Sequence, residues 1–288
     1  MQCLNYQNMA KKILFINQEI VPYVPDSDLS LMGKALPQAI LEKGHEIRTF
    51  MPKWGNINER RGQLHEVIRL SGMNLIIDDT DHPLIIKVAT IVQTHIQVYF
   101  IDNEDYFSKR QMIQNEAGEE YADNGERAVF FARGVLETVK KLRWVPDVIH
   151  CQGWISCIVP AYLKSAYAEE PSFRNTKVVY TPTENKLTLP TGEQFADVFE
   201  FRSAAKELFK EFGSNLTPKQ LDMLAIKFAD GVTFPSSTPD KDLLKYARKL
   251  KKSILKSEDN DPARYVEFFD QIWEESSEPQ EEVGKKRK

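Results

Sequence analysis

The sequence is short of cysteine. It has three in 288 residues, Cys3, Cys151 and Cys157, and no C-x-x-C pair. An odd count without that spacing gives neither a zinc site nor a disulfide framework, and the thiols are expected to be idle in a reducing compartment. No apolar run reaches the ~18 residues that a membrane span requires. Residues 1–10 are polar and lack the apolar centre of a secretory signal. The expectation is a cytoplasmic protein with no membrane partner. Met9, directly before Ala10-Lys11-Lys12 and an apolar run, is expected to be the true start in place of Met1. With a net charge of -4, nothing draws the whole chain toward nucleic acid. A Walker A loop, a G-x-S-x-G elbow and a dinucleotide fingerprint are all missing, as is any internal repeat. His82 and His95 show no metal spacing with an acidic pair. Neither a metal nor a cofactor is expected.

The apolar fraction is 42% and the charged fraction 28%, as in a soluble globular protein. Ile13-Leu14-Phe15-Ile16 is a continuous apolar run, the pattern of a strand buried on both faces of a parallel sheet. Leu29, Met32, Leu36, Ile40 and Leu41 then recur at helical spacing, with Pro37 expected to kink or break the helix and Gly44 to cap it. Residues 46–51 read as the next strand, which completes a βαβ unit. Four closely spaced strand candidates follow at 65–70, 73–78, 84–91 and 96–101, an antiparallel excursion from the parallel sheet. Residues 124–143 are the strongest helix, with Asp123 as its expected N-cap. Alternation resumes with strands at 147–151, 177–181 and 232–234. Helices are expected at 155–167, 204–212, 218–229, 240–257 (strongly basic) and 263–273 (aromatic). The fold class is α/β, a Rossmann-like doubly wound, mainly parallel sheet. The main domain is expected over 9–257, a carboxy-terminal helix over 258–275 and a disordered tail over 276–288.

Four stretches together resemble the amino-terminal catalytic domain of bacterial glycogen and starch synthases. One runs from Lys12-Ile13-Leu14-Phe15 through Glu19-Ile20-Val21-Pro22 to Gly44-His45-Glu46-Ile47-Arg48. Another is Asp123-Asn124-Gly125-Glu126-Arg127 with Phe130-Phe131-Ala132-Arg133. The others are Trp144-Val145-Pro146-Asp147-Val148-Ile149-His150-Cys151-Gln152-Gly153-Trp154 and Ala225-Ile226-Lys227-Phe228-Ala229-Asp230-Gly231-Val232-Thr233-Phe234-Pro235-Ser236. Their order covers about residues 11–240. The resemblance implies one half of a GT-B glycosyltransferase, in which two facing domains hold ADP-glucose and a glucan between them. The residues that the family takes from its second domain are expected to have no counterpart in this sequence.

Expelling a diphosphate needs donors and positive charge set in advance. The family supplies part of this with a Lys-x-Gly-Gly-Leu turn after its first strand. The corresponding stretch here is Val24-Pro25-Asp26-Ser27-Asp28-Leu29, without the Lys or either Gly. A wrong charge ~4 Å from a phosphate costs about 4 kcal/mol at an effective dielectric near 20, roughly three decades in rate or affinity. Asp28 is also a candidate N-cap for the helix that follows. In the family's His-x-His-Asp-Trp stretch the second His contacts the transferred sugar. Here His150 and Trp154 match, but Gln152 and Gly153 replace the second His and the Asp. The family's Thr-x-His-Asn reads Thr181-Pro182-Thr183-Glu184-Asn185. Glu19 matches a family carboxylate.

The candidate binding residues are Glu19, Asp26, Asp28, Gln152, Trp154, Glu184 and Asn185, and no residue stands out as catalytic. The expected function is that of an inactive synthase-like protein that binds a sugar, a glucan, a nucleotide sugar, a protein partner or a second copy of itself. The alternative is a glucosyltransferase using ADP-glucose or UDP-glucose on an α-1,4-glucan, alone or completed by a separate chain. An acidic crevice built from these residues would suit a neutral or cationic ligand better than a nucleotide sugar. The aromatic helix near 263–273 is expected to fold back over the sheet; left uncovered, that face would favour dimerisation.

Overall fold

A computed structural model describes residues 10–183, 187–236, 239–257 and 261–274. The expected Met9 start, Glu184, Asn185 and the tail 276–288 lie outside the described residues. The strands are β1 (Lys12–Asn17), β2 (Glu46–Pro52), β3 (His65–Glu66), β4 (Met73–Ile77), β5 (Thr80–Ile91), β6 (Ile96–Asp102), β7 (Val148–Gln152), β8 (Lys177–Thr181), β9 (Gly231–Phe234) and β10 (Ser253–Lys256). The helices are α1 (Asp28–Glu42), α2 (Glu59–Gly62), α3 (Asn124–Leu142), α4 (Val159–Leu163), α5 (Phe195–Phe199), α6 (Pro218–Phe228), α7 (Lys241–Lys249) and α8 (Pro262–Glu274).

The sheet runs β10-β9-β8-β7-β1-β2-β6-β5-β3, with β4 paired to β5. Strands from β10 to β6 are parallel, and β5, β3 and β4 form the antiparallel excursion. Ile13, Leu14, Phe15 and Ile16 are buried, as a strand covered on both faces demands. The chain leaves β1 toward β2 on one side and returns to β7 on the other. The direction of winding therefore reverses between β1 and β7, and the carboxyl ends of these two strands flank the crevice where doubly wound folds bind ligands.

Residues of alternating parity face opposite layers. Phe15 and His150, paired in register, point to the α1 and α8 layer, where their rings lie 6.4 Å from Phe269 and 6.2 Å from Tyr265. Tyr180 points the other way, to α6, and α3 packs its Gly134 against Leu84 and Ile101. The aromatic helix does fold back: Tyr265, Val266, Phe268, Phe269 and Ile272 are buried in the same core as the sheet. Lys11 and Asp270 pair at 2.5 Å across that junction.

Several elements differ from expectation. The basic helix over 240–257 ends at Lys249; Lys251 turns left-handed (φ 54°), and residues 253–256 pair with β9 as an edge strand. The N-cap of α1 is Ser27, reciprocally bonded with Ser30, and not Asp28. Asp123 makes no side-chain cap on α3 because Arg110 takes its carboxylate at 2.5 and 2.6 Å. In place of one helix over 155–167 there are a short 3-10 turn, Trp154–Ser156, and α4, and in place of a helix over 204–212 there is a kinked 3-10 segment, Lys206–Phe212. Helix α1 continues through Pro37. Proline cannot donate to the carbonyl four residues earlier, that of Gly33. The side-chain amide of Asn17 donates to that carbonyl instead, at 3.4 Å.

Candidate functional site

The crevice is built from the last residues of β1 and β7 and the segments that follow. Asn17, Gln152 and Thr181 form one register row across β1, β7 and β8. Asn17 and Gln152 are each 1% exposed, yet Asn17 Oδ1 and both amide atoms of Gln152 have no hydrogen-bond partner among the described residues. A buried polar atom without a partner is uncommon in a folded protein, so three at one pair of strand ends mark the place.

Gln18 ties the strand ends together. Its backbone N–H donates to Gln152 O at 3.1 Å, and its carbonyl accepts from Trp54 Nε1 at 2.8 Å. Its side-chain Oε1 accepts from the Trp154 backbone N–H at 3.1 Å, while Nε2 donates to Glu19 at 2.9 Å and to Met112 Sδ at 3.3 Å. Gly153 makes this possible. It sits at φ 84°, and a Cβ there would lie 2.5 Å from Gln18 Oε1 and 2.7 Å from Gln18 Cβ. Nothing in the sequence marked Gln18 as a connector; the glycine after Gln152, in place of the family's Asp, was the available signal.

Glu19 is half-buried, and its Oε2 accepts a 2.6 Å hydrogen bond from Ser27 Oγ. Asp26 and Asp28 are exposed, and their side chains make no hydrogen bond or ion pair among the described residues. Trp154 is buried with its ring 6.2 Å from Trp54 and its Nε1 unpartnered among the described residues. Gln18 thus brings Glu19, Gln152 and Trp154 into one bonded group, while Asp26 and Asp28 stay on the surface around the start of α1.

His150, the imidazole kept from the family stretch, lies behind this group. Its Nε2 is 2.7 Å from Thr181 Oγ1, and its ring is enclosed by Phe15, Tyr265 and Phe269. Burial pushes its pKa down to about 3, so the ring is neutral at physiological pH.

Arg127 is fully buried and fixes the loop that carries Met112. It donates to Tyr106 O, Gln111 O and Met112 O at 2.9 Å and to Asn124 Oδ1 at 2.7 Å. Burial, with Arg110 nearby, lowers its pKa to about 9, which still leaves it charged at neutral pH. A separate concavity of about 310 Å³ lies between Glu126 and the segment Thr191–Phe195. Its carboxylates are already engaged, Asp123 by Arg110, Glu126 by Tyr106 and Glu193 by Asn215. Among the described residues, no three His, Cys, Asp or Glu side chains gather to hold a metal ion, and no helix is long and apolar enough to cross a membrane.

A mainly parallel doubly wound sheet with this crevice is the architecture of one half of a GT-B glycosyltransferase. The starch synthase catalytic domain model matches residues 12–254, and the chain belongs to that family. Glycogen synthase from Pelodictyon phaeoclathratiforme is 39% identical over 171 residues, which cover 59% of this chain and 35% of that protein. Glycogen synthase from Chlorobium limicola gives the same identity and coverage. The match spans about a third of the length of these relatives. The catalytic domain of Starch Synthase IV from Arabidopsis thaliana, bound to ADP and acarbose, superposes with a TM-score of 0.69 at 19% identity. It covers 86% of this chain and 51% of that one. At that identity the likeness establishes the fold.

Proposed function

We propose that this protein is a glycogen/starch synthase-like carbohydrate-binding protein that does not transfer glucose. The reading is carried by the end of β7. Gln152 is a neutral amide that can donate to and accept from a hydroxyl but cannot shuttle a proton. His150 is buried and neutral, bonded to Thr181 and packed under α8, and so unable to take over the role of the imidazole that Gln152 replaces. The ligand class, a glucan or a nucleotide sugar, is supported by family membership and by the ADP and acarbose bound to the Arabidopsis relative.

The test is to incubate the purified protein with radiolabelled ADP-glucose or UDP-glucose and a glycogen primer. The expected outcome is label on glycogen at background while the protein itself is retained on immobilised glycogen. Incorporation well above background overturns the reading and establishes a glucosyltransferase. Repeating the assay with a separate chain that carries the family's second domain tests the split-enzyme alternative.

A further inference from the structure

A chain of titratable side chains ends at the concavity beside Thr191–Phe195. Asp105 Oδ2 lies 3.2 Å from His82 Nδ1, and His82 Nε2 lies 3.1 Å from the Tyr106 hydroxyl, which bonds Glu126 Oε1. His82 on β5 and Tyr106 after β6 are buried, and Phe130 of α3 packs its ring 6.3 Å from the first and 5.0 Å from the second. Glu126 lines the concavity, and its Oε2 makes no hydrogen bond among the described residues. Of the other charged groups at hand, Arg110 and Asp123 are paired with each other at 2.5 Å. Each of the three contacts in the chain needs one proton. Tyr106 supplies one, because burial and the neighbouring Glu126 push its pKa far above the usual phenol range. A neutral imidazole supplies a second, and carboxylates supply none. The third must sit on His82, as an imidazolium, or on a carboxyl group at either end. Asp105 has its side chain 66% exposed and keeps its charge in water, which leaves Glu126.

We propose that His82 and Glu126 share one proton through Tyr106, so that a buried imidazole sets the charge Glu126 presents to the concavity. In one form His82 is an imidazolium: Nδ1–H donates to Asp105, Nε2–H donates to Tyr106, and Tyr106 donates to the Glu126 carboxylate. In the other, Nε2 has passed its proton to Tyr106 and Tyr106 its own to Glu126 Oε1. His82 is then neutral with its proton on Nδ1, and Glu126 is a carboxylic acid. All three contacts stand, with the two inner ones reversed in direction. No proton enters or leaves. A cation or hydrogen-bond donor bound beside Glu126 holds the proton on His82, and an anion or acceptor draws it to Glu126. At about 310 Å³ the concavity has the size of a small-ligand site.

Nitrogen NMR of the full chain, labelled at histidine, reads which ring nitrogens carry a proton; His82 is assigned as the signal lost in His82→Gln. The variant Glu126→Gln puts a fixed N–H where the mobile proton would sit. It is expected to give a neutral His82 with its proton on Nδ1 and Nε2 bare, a complete loss of the Nε2 proton that the unaltered chain retains in part. Loss of the Glu126 charge alone would leave the proton on Nε2, with Tyr106 still donating to residue 126. That tautomer overturns the proposal, as does an unchanged ring. Glu193→Gln, in the same concavity but bonded to Asn215, is the control. An equal change there would mean that the ring reads the field of the concavity, and it too overturns the proposal. Tyr106→Phe cuts the chain, and adding Glu126→Gln to it is expected to leave His82 as it is; a response that survives counts against the shared proton. If the melting curve of Tyr106→Phe shows it unfolded, the tautomer in Glu126→Gln already decides.

Discussion

The Asp222 carboxylate accepts a 2.5 Å hydrogen bond from the Tyr180 hydroxyl and joins α6 to β8 inside the core. Burial raises the Asp222 pKa to about 7, against the opposing pull of that hydrogen bond. The folded protein therefore holds a proton that the unfolded chain gives up near pH 4. Its contribution to stability is fully present below about pH 4 and is lost as pH rises through about 7. Asp222→Asn keeps an acceptor for Tyr180 and removes this dependence. The variant is expected to match the parent near pH 4 and to exceed it at pH 8 by up to about 4 kcal/mol, read by denaturant titration at both pH values.

His150 works in the opposite direction. Its pKa of about 3 lies below that of a free imidazole, because burial disfavours the cation. Stability carried by the neutral ring is present above about pH 6.5 and declines as pH falls toward about 3. Two-dimensional NMR is expected to show no titration of the His150 ring down to acid unfolding. Titration of His150 near pH 6 would mean that its ring reaches water.

Gly153→Ala adds a Cβ 2.7 Å from the Cβ of Gln18 at a backbone angle of φ 84°. Overpacking and the left-handed backbone together are expected to cost roughly 3 kcal/mol. Because Gln18 bonds both β7 and Glu19, glycogen retention should weaken along with stability. A variant with an unchanged melting temperature would show that the Gln18 staple yields easily.

Phe269→Ala in α8 opens a cavity beside Phe15 and His150 and is expected to cost about 3–5 kcal/mol. Deleting residues 258–288 uncovers the sheet face beneath α8, and light scattering should then report self-association. A soluble monomer of undiminished stability would show that α8 is not needed to cover the sheet.

Much of this architecture was legible in the sequence because buried parallel strands leave continuous apolar runs. Ile13–Ile16 and Val148–Cys151 read directly as strands, and the change to alternating short strands between His65 and Ile101 marked the antiparallel part. The end of α7 was not legible. Leu243, Ala247, Leu250 and Ile254 keep helical spacing across the break. The turn is instead fixed from a distance, where Lys252 Nζ donates to the carbonyls of Lys227 and Ala229 at 2.8 and 2.6 Å. The same limit applied at the crevice. Glu19, Gln152 and Trp154 could be named from motif positions, but the residue that joins them, Gln18, carries no motif. Its importance comes from a backbone turn at Gly153, 135 positions away. Asp28 looked like a cap because it stands at the helix start, yet the extended backbone of Ser27 makes the preceding hydroxyl the capping group.

The amide of Asn17 has two ends with different duties. Its nitrogen restores the rung that Pro37 removes from α1, and its oxygen remains unspoken for at the strand end. A single side chain is thus both a structural splint and a crevice group. A group that bonded this oxygen would therefore act on the same side chain that supports α1.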